Sequence, residues 1–554
     1  MSLTNLERAR LSLTYLLECG VTEVVTCAGA RNAPLVELLM AVAADFSDDK
    51  LKCWSFFEER SAAFFALGRC VRRGTPIAVL TTSGTAAAEL LPAVIEANYQ
   101  GRPLIVVTAD RPSRFRGSGS PQSMEQVGLY GNYVETCFDL EDDFATLTKA
   151  WSGERPLHLN VCFEEPQSQR PTPLETMTAV NGLRSVSSRA RVDKTAGDAR
   201  PAWPAAMRQP LVIVGPLRPE DRAAALEVVR RLPGPVYAEA LSGLTGEATL
   251  MDRMIRGEEI AGLALDGTAA NGGLPFCDGV IRLGTVPTCR VWRDLEVKRR
   301  EVPVVNLVPA NARWSGLARK EHVFAFPLNA LPEMPAAQGL DPRGQALVEL
   351  SKNAAGEFEK LVADFPKSEM ALVRALALRA AHPAHLQRVY LGNSLTVREW
   401  DAVSPHHRFA DVYGHRGVNG IDGQVSSFLA WSAADAKTGD LAVVGDLTAM
   451  YDLAALGFTT QLEPAKRTLA VINNGGGMIF KRIFPHDLFL NRHETSFGDW
   501  AKMFKWSYHL AHRPEDLRFA QSPENLILEI RPDAGETAAF QTRWAEWLRR
   551  ETGA

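Results

Sequence analysis

Residues 439–476 read GDLAVVGDLTAMYDLAALGFTTQLEPAKRTLAVINNGG. Leu441–Val444 and Leu469–Ile472 are short, wholly apolar runs, the pattern of strands buried on both faces. Each ends in polar turn chemistry: Gly445-Asp446 after the first, Asn473-Asn474 and three glycines at 475, 476 and 477 after the second. Between Asp446 and Asn473 lie 26 residues, room for a helix and two loops. This is a strand–crossover–strand unit, so the two strands are expected to be parallel neighbours. The carboxyl ends of such strands open on one crevice, where ligands bind. A hard cation there takes oxygen ligands. Asp446, Asn474 and the carbonyl of Gly476 offer a carboxylate, an amide oxygen and a backbone oxygen. Magnesium (or manganese) would fill its remaining positions from a ligand diphosphate. The glycines allow the backbone to approach closely.

The same alternation extends to either side. In the first third, Leu6 to Cys19, Glu59 to Val71 and Ala86 to Tyr99 have helical spacing. Val21–Val25, Ile77–Leu80, Leu104–Val107 and Leu157–Val161 read as strands. From Gln167 to Gln209 Ser, Arg, Pro and Thr dominate, the composition of a linker. A second unit opens at Leu211–Val214 and continues through Val236–Ala238 and Val302–Val305. Leu331 to Gly344 is again loose, and a charged helical segment follows. The last third begins near Met370, with further strands at Arg408–Tyr413 and Leu526–Ile530. The expected fold class is α/β: three domains, each a mostly parallel sheet flanked by helices. Their expected bounds are 1–185, 205–335 and 368–554.

Length and composition agree. The chain has 554 residues, which at roughly 150 per domain makes three or four domains. Lys+Arg is 61 and Asp+Glu is 65, a formal net charge of -4, whereas a general nucleic-acid binder needs a basic excess. Eight cysteines contain no C-x-x-C pair, which argues against a zinc ribbon or a thioredoxin-type site. The N-terminus, broken by Glu7, Arg8 and Arg10, reads as an amphipathic helix rather than a signal peptide. No uncharged apolar run reaches about 18 residues, so no membrane span is expected. The expected location is the cytoplasm.

The GD and NN strings at this spacing resemble the signature of the thiamine-diphosphate-dependent enzymes. In that family the aspartate, the second asparagine and a backbone carbonyl two residues later hold the metal on the cofactor's diphosphate. The resemblance implies a second element, a glutamate from another domain that hydrogen-bonds the aminopyrimidine ring. Phe57-Glu58-Glu59-Arg60-Ser61-Ala62-Ala63 fits that segment, and Glu59 is the candidate. Within the family the chain is most similar to the synthases of menaquinone biosynthesis that decarboxylate 2-oxoglutarate and add the succinyl carbanion equivalent to isochorismate. The matching strings are Gly29–Leu35, Thr82–Ala86, Thr108–Pro112, Gly392-Asn393-Ser394 with Arg398, Arg416–Gly423 and Gly445–Leu453. The middle domain matches mainly at Ala238 to Leu244 and near Pro287.

That resemblance implies the remaining roles. Two dicarboxylate substrates need several cations, and arginine binds planar carboxylates bidentately. Arg398 and Arg416, with Ser394, would take the oxoglutarate-derived part and the incoming acceptor. Arg31 and Arg111 would take the isochorismate side, with Arg290 supplying charge from the middle domain. Gln122 matches a glutamine near the reacting carbonyl. Ile421 matches the apolar wedge that bends the cofactor, which Gly392, Leu447 and Ile479 would also contact. Phe480 would line the pocket. The resemblance further implies a homodimer or homotetramer with its sites at chain interfaces, and small-molecule rather than nucleic-acid partners. The chain departs from the family pattern at Ala30, where serine is usual, at Val291, where a basic residue is common, and at His415, where asparagine is common. A thiamine-dependent carboligase or 2-oxoacid decarboxylase with another acceptor is the alternative. A non-catalytic α/β binding protein would have no need of Glu59, Asp446 and Asn474 together. A flavin-using relative would show a dinucleotide fingerprint, which Gly215-Pro216 alone is not.

Overall fold

The computed structural model describes residues 2–46, 50–148, 151–188, 204, 207–266, 273–308, 314–327, 339–403, 408–432 and 438–552. Part of each expected linker, 189–203 and 331–338, and both ends of the expected 205–335 domain therefore lie outside the described residues. The chain forms three parallel sheets flanked by helices. The first holds β1 (Glu23–Cys27), β2 (Lys52–Phe56), β3 (Ile77–Thr81), β4 (Leu104–Asp110), β5 (Cys137–Leu140) and β6 (Leu157–Cys162), in the spatial order β2-β1-β3-β4-β6-β5. The second holds β7 (Leu211–Val214), β8 (Val236–Ala238), β9 (Val280–Leu283), β10 (Val304–Val308) and β11 (Val323–Pro327), ordered β11-β10-β9-β7-β8. The third holds β12 (Gln387–Leu391), β13 (Asp411–Tyr413), β14 (Gly439–Gly445), β15 (Arg467–Ile472), β16 (Ser507–Ala511) and β17 (Asn525–Ile530), ordered β13-β12-β14-β15-β17-β16.

The first and third sheets therefore share one topology, a duplication with no short sequence repeat behind it. In both, the order reverses between the first and third strands of the set. The carboxyl ends of β1 and β3, and of β12 and β14, are thus switch points where open α/β sheets bind ligands. β14 and β15 pair in parallel, Leu441 opposite Thr468 and Gly445 opposite Ile472, which brings Asp446 and Asn473 to the same edge. Every residue of β1, β3, β4 and β6 is buried, as parallel strands covered on both faces require.

The chain divides into two compact units. One comprises Met1–Asp193, Gly417–Ala433 and Met450–Glu463, and carries the first sheet. The other comprises Lys194–Arg416, Ala434–Ala449 and Pro464–Ala554, and carries the second and third. In the first unit the helix Gln424–Trp431 packs on Glu59–Arg73, and Gly68 makes this possible: a Cβ there would lie 2.6 Å from the Ser427 carbonyl oxygen.

Several elements differ from the sequence expectation. Ala86–Tyr99 is two helices, Thr85–Glu89 and Leu91–Gln100, because Pro92 lacks the N–H that a continuous helix would use. The expected linker contains the helix Pro173–Leu183, begun by a capping box in which Thr172 and Glu175 satisfy each other's end of the first turn. Gly344 is not in a loose stretch: it lies in the helix Pro342–Asp364, started by the Asp341 side chain and a proline in the first turn. All eight cysteines are outside disulfides, and no described helix is long and apolar enough to cross a membrane.

Candidate active site

In the first unit a cavity of about 470 Å³ opens at the carboxyl ends of β1 and β3, lined among others by Glu59, Thr82, Gly84, Glu89 and Gln122. Glu59 is the first residue of the helix Glu59–Arg73. Its neighbour Glu58 caps the helix, accepting from the Arg60 and Ser61 amides at 3.1 and 2.9 Å. Glu59 is thereby left free to face the cavity. Burial holds its carboxyl above the usual range, and the negative charges of Glu58 and Glu89 add to the effect. Gln122 sits at φ +53, close enough that a Cβ on Gly84 would be 3.3 Å from its Cα. Gln126 carries no local sequence signal. This fully buried amide accepts from the Gly84 N–H at 2.8 Å and donates to the Ala109 carbonyl and to Asn160, which pins the cavity loop to β4 and β6.

Arg31 and Arg111 lie in this unit at the same sheet edge. Arg31, 7% exposed, donates to the Phe163 carbonyl at 3.1 Å and pairs with Glu165 at 3.3 Å. Burial, then the Arg111 charge, lowers its affinity for its proton. Arg111 is held by its backbone N–H on Asp110 and by its Nε on the Pro121 carbonyl. Two like charges kept this close favour an anionic ligand. Ile421 is half-buried on a segment whose Gly417 and Val418 amides donate to the buried Glu96 carboxylate at 2.7 and 2.8 Å.

In the second unit Asp446 is 2% exposed at the end of β14. One carboxylate oxygen accepts from the Gly475 and Gly476 amides, each at 2.9 Å, and the other from the Leu447 amide at 2.6 Å. His493 Nε2 lies 3.2 Å from the same carboxylate. Burial still pushes the Asp446 carboxyl above its ordinary range. Gly476 at φ +136 cannot be replaced, since a Cβ would collide with the Leu490 carbonyl. Asn474 donates its Nδ2 to Glu369 at 2.7 Å, while its Oδ1 is buried with no hydrogen-bond partner among the described residues. An orphaned amide oxygen beside a buried carboxylate fits a hard cation. Among the described residues no group of three or more His, Cys, Asp and Glu side chains is placed to hold a metal. The Asp446 carboxylate and the Asn474 amide oxygen are the donors present instead, and the Gly476 carbonyl accepts from the Met478 N–H at 2.8 Å.

Around this edge Ser394, at φ +73, accepts at its carbonyl from Arg398 at 2.6 Å. Arg416 donates to Asn393 Oδ1 at 2.6 Å. Ser394, Arg398 and Arg416 are thus gathered at the end of β12, beside Gly392, whose amide donates to the Val443 carbonyl. Ile479 is half-buried and Phe480 is 44% exposed on the turn after the glycines. Arg290 is exposed at the start of a helix beside Asp294, 3.6 Å away, while Val291 is 3% exposed in the apolar core of the second sheet. A charged residue at 291 would have to be buried in that core. The amides of Thr288 and Cys289 donate to Glu239, a buried carboxyl pushed up to about 7 by burial and only partly relieved by the Arg416 charge. Glu239 falls within the matching string Ala238 to Leu244, whereas Glu369 and its neighbour Glu399 carry no local sequence signal.

Residues 8–129 match a family model described as thiamine pyrophosphate enzyme, N-terminal TPP binding domain. The chain is thus a thiamine-diphosphate-binding enzyme of the α/β type. It is 39% identical over 551 residues to the 2-succinyl-5-enolpyruvyl-6-hydroxy-3-cyclohexene-1-carboxylate synthase of Bdellovibrio bacteriovorus, covering 98% of this chain and 99% of the relative. The synthase of the same name from Akkermansia muciniphila is 38% identical over 562 residues, covering 96% and 98%. That of Halobacterium salinarum is 32% identical over 512 residues, covering 85% and 84%. The chain belongs to the family of these synthases, thiamine-dependent transferases that form a carbon–carbon bond.

Proposed function

We propose that the chain decarboxylates 2-oxoglutarate and adds the remaining four-carbon unit to isochorismate. The products are 2-succinyl-5-enolpyruvyl-6-hydroxy-3-cyclohexene-1-carboxylate and CO2, a step of menaquinone biosynthesis in the cytoplasm. The observation that carries this reading is the identity of 39% across 98% of the chain with a synthase of that name. Thiamine diphosphate, when bound, supplies the electron sink for decarboxylation.

The protein's own residues bind, orient and move protons. Glu59 hydrogen-bonds the aminopyrimidine, and burial, which raises its affinity for a proton, suits a group that shares a proton with the ring. Asp446, the free Oδ1 of Asn474 and the Gly476 carbonyl hold magnesium or manganese. Gly392, Ile421, Leu447 and Ile479 contact the cofactor. Arg398, Arg416 and Ser394 bind the oxoglutarate-derived part, and Gln122 lies by the reacting carbonyl. Arg31 and Arg111, aided by Arg290, take isochorismate, whose carboxylates relieve the repulsion between the first two guanidinium groups. Phe480 lines the pocket. The three sheets serve as pyrimidine-binding, central and diphosphate-binding domains. The active assembly is a homodimer or homotetramer, supported by the family resemblance and by the prevalence of two-fold assemblies. The test supplies purified protein with both substrates, thiamine diphosphate and magnesium, and identifies the product by mass. Consumption of 2-oxoglutarate without the isochorismate adduct would remove the acceptor assignment.

A further inference from the structure

The two asparagines after β15 are each held by a buried carboxyl group from elsewhere in the fold. Asn473 donates its Nδ2 to Glu529 at 2.7 Å and to the Thr495 carbonyl at 2.8 Å. Asn474 donates its Nδ2 to Glu369 at 2.7 Å. Glu369 is 4% exposed and opens the helix Glu369–Ala381, where its backbone N–H donates to Thr537 at 3.0 Å. Behind it stands Glu399, 6% exposed on the helix Leu395–Val403, hydrogen-bonded to the Glu369 carboxyl. The Glu369 oxygen that faces Asn474 is thus the acceptor of its N–H.

An amide can be turned so that its oxygen and nitrogen exchange places, and the surroundings decide which way it faces. Turned the other way, Asn474 would set its oxygen against the Glu369 oxygen, acceptor against acceptor. Its NH2 would then occupy the buried position where Oδ1 now stands without a partner among the described residues. We propose that Glu369 is a positioning residue for the cation site: by accepting the Asn474 N–H it commits the amide oxygen to the metal. This rests on Asp446 and Asn474 being metal ligands, and it adds a residue 105 positions away in sequence.

The test is the Mn2+ affinity of the full-length protein at saturating thiamine diphosphate, read by electron paramagnetic resonance of free Mn2+. Glu369→Gln keeps an oxygen for the Asn474 N–H, and its affinity should stay within about threefold of wild type. Glu369→Leu and Glu369→Ala remove the acceptor. Their affinity should fall by roughly ten- to hundredfold, the usual effect of losing a group that orients a metal ligand. Two variants of different size guard against one of them failing to fold, and circular dichroism checks each. Wild-type affinity in both apolar variants, or an equal loss in Glu369→Gln, would overturn the proposal. Asp446→Ala, measured alongside, separates the two ideas. If it weakens Mn2+ binding while the Glu369 variants do not, only the positioning role fails. If it binds Mn2+ like wild type, the metal site itself is wrong and the positioning role goes with it.

Discussion

Asp446→Ala separates what the carboxylate does for the fold from what it does for the cofactor. In the free protein the side chain accepts from three backbone amides, those of Leu447, Gly475 and Gly476. A buried N–H left unpaired costs about 1–3 kcal/mol. Against that stands the burial of a charge: the Asp446 carboxyl is held above its ordinary range, so desolvation outweighs the amides' help at neutral pH. Removing the group thus gives up hydrogen bonds but also relieves a burial penalty, and the free variant should lose only about 1–2 kcal/mol. Cofactor binding is another matter. At ligand one hundred times its Kd, wild type gains about 2.7 kcal/mol of stability. Deleting a direct ligand should weaken binding by at least about the hundredfold seen at the upper end for groups that merely orient one. At the same concentration the variant then gains only about 0.4 kcal/mol. The assay is thermal unfolding with and without thiamine diphosphate and Mn2+. Wild type should show a clear ligand-induced rise in Tm, and Asp446→Ala almost none, at a free-protein Tm close to wild type. A ligand-induced rise of wild-type size in the variant would refute the metal assignment.

Three further outcomes are expected. Arg398→Ala should slow the 2-oxoglutarate half-reaction, whereas Arg31→Ala should chiefly raise the KM for isochorismate; steady-state kinetics with each substrate varied checks the split, and loss of decarboxylation alone in Arg31→Ala would reverse it. Asp452 is fully buried against Ser426 and Ser61, and burial pushes its carboxyl up from 3.8 to about 6. Its contribution to stability is therefore complete below about pH 4 and lost as pH rises through about 6. Asp452→Asn should flatten that part of the fall in Tm between pH 4 and 7, and a wild-type slope in the variant would contradict the assignment. Finally, inactive Glu59→Gln and Asp446→Ala chains, mixed and allowed to exchange, should regain roughly a quarter of wild-type activity if each site draws on two chains paired about a two-fold axis; no recovery despite proven exchange would mean that one chain builds a whole site.

The parts of the fold legible in the sequence were those that obey simple periodicity. β14 and β15 are apolar runs bounded by turn residues, and both lie where their pattern put them. β12 was missed although it is wholly buried in the sheet, because it opens Gln387-Arg388. Arg388 is tolerated there through a 2.7 Å pair with Asp440 on the neighbouring strand, a compensation that no local window can display. β5 and β16 are edge strands with polar residues such as Asp139, Ser507 and His509, and β8 was readable despite its three residues because they are nearly all apolar. The site divides in the same way. Asp446, Asn474 and Gly476 sit in one motif, and Glu59 lies in a string that resembles the family's. Glu369, Glu399, Gln126 and Glu529 act through hydrogen bonds to residues tens of positions or more away. Each is an ordinary residue in its own helix, loop or strand, so only the folded chain reveals its partner.

If Glu59 activates a cofactor anchored at Asp446, deuterium exchange at the thiazolium C2 of bound thiamine diphosphate measures that activation directly. Wild type should exchange fast. Glu59→Gln should still bind the cofactor yet exchange on the order of a hundredfold more slowly, the lower end of what a positioned proton-transfer group contributes. Exchange at the wild-type rate in Glu59→Gln, with the cofactor demonstrably bound, would contradict the account.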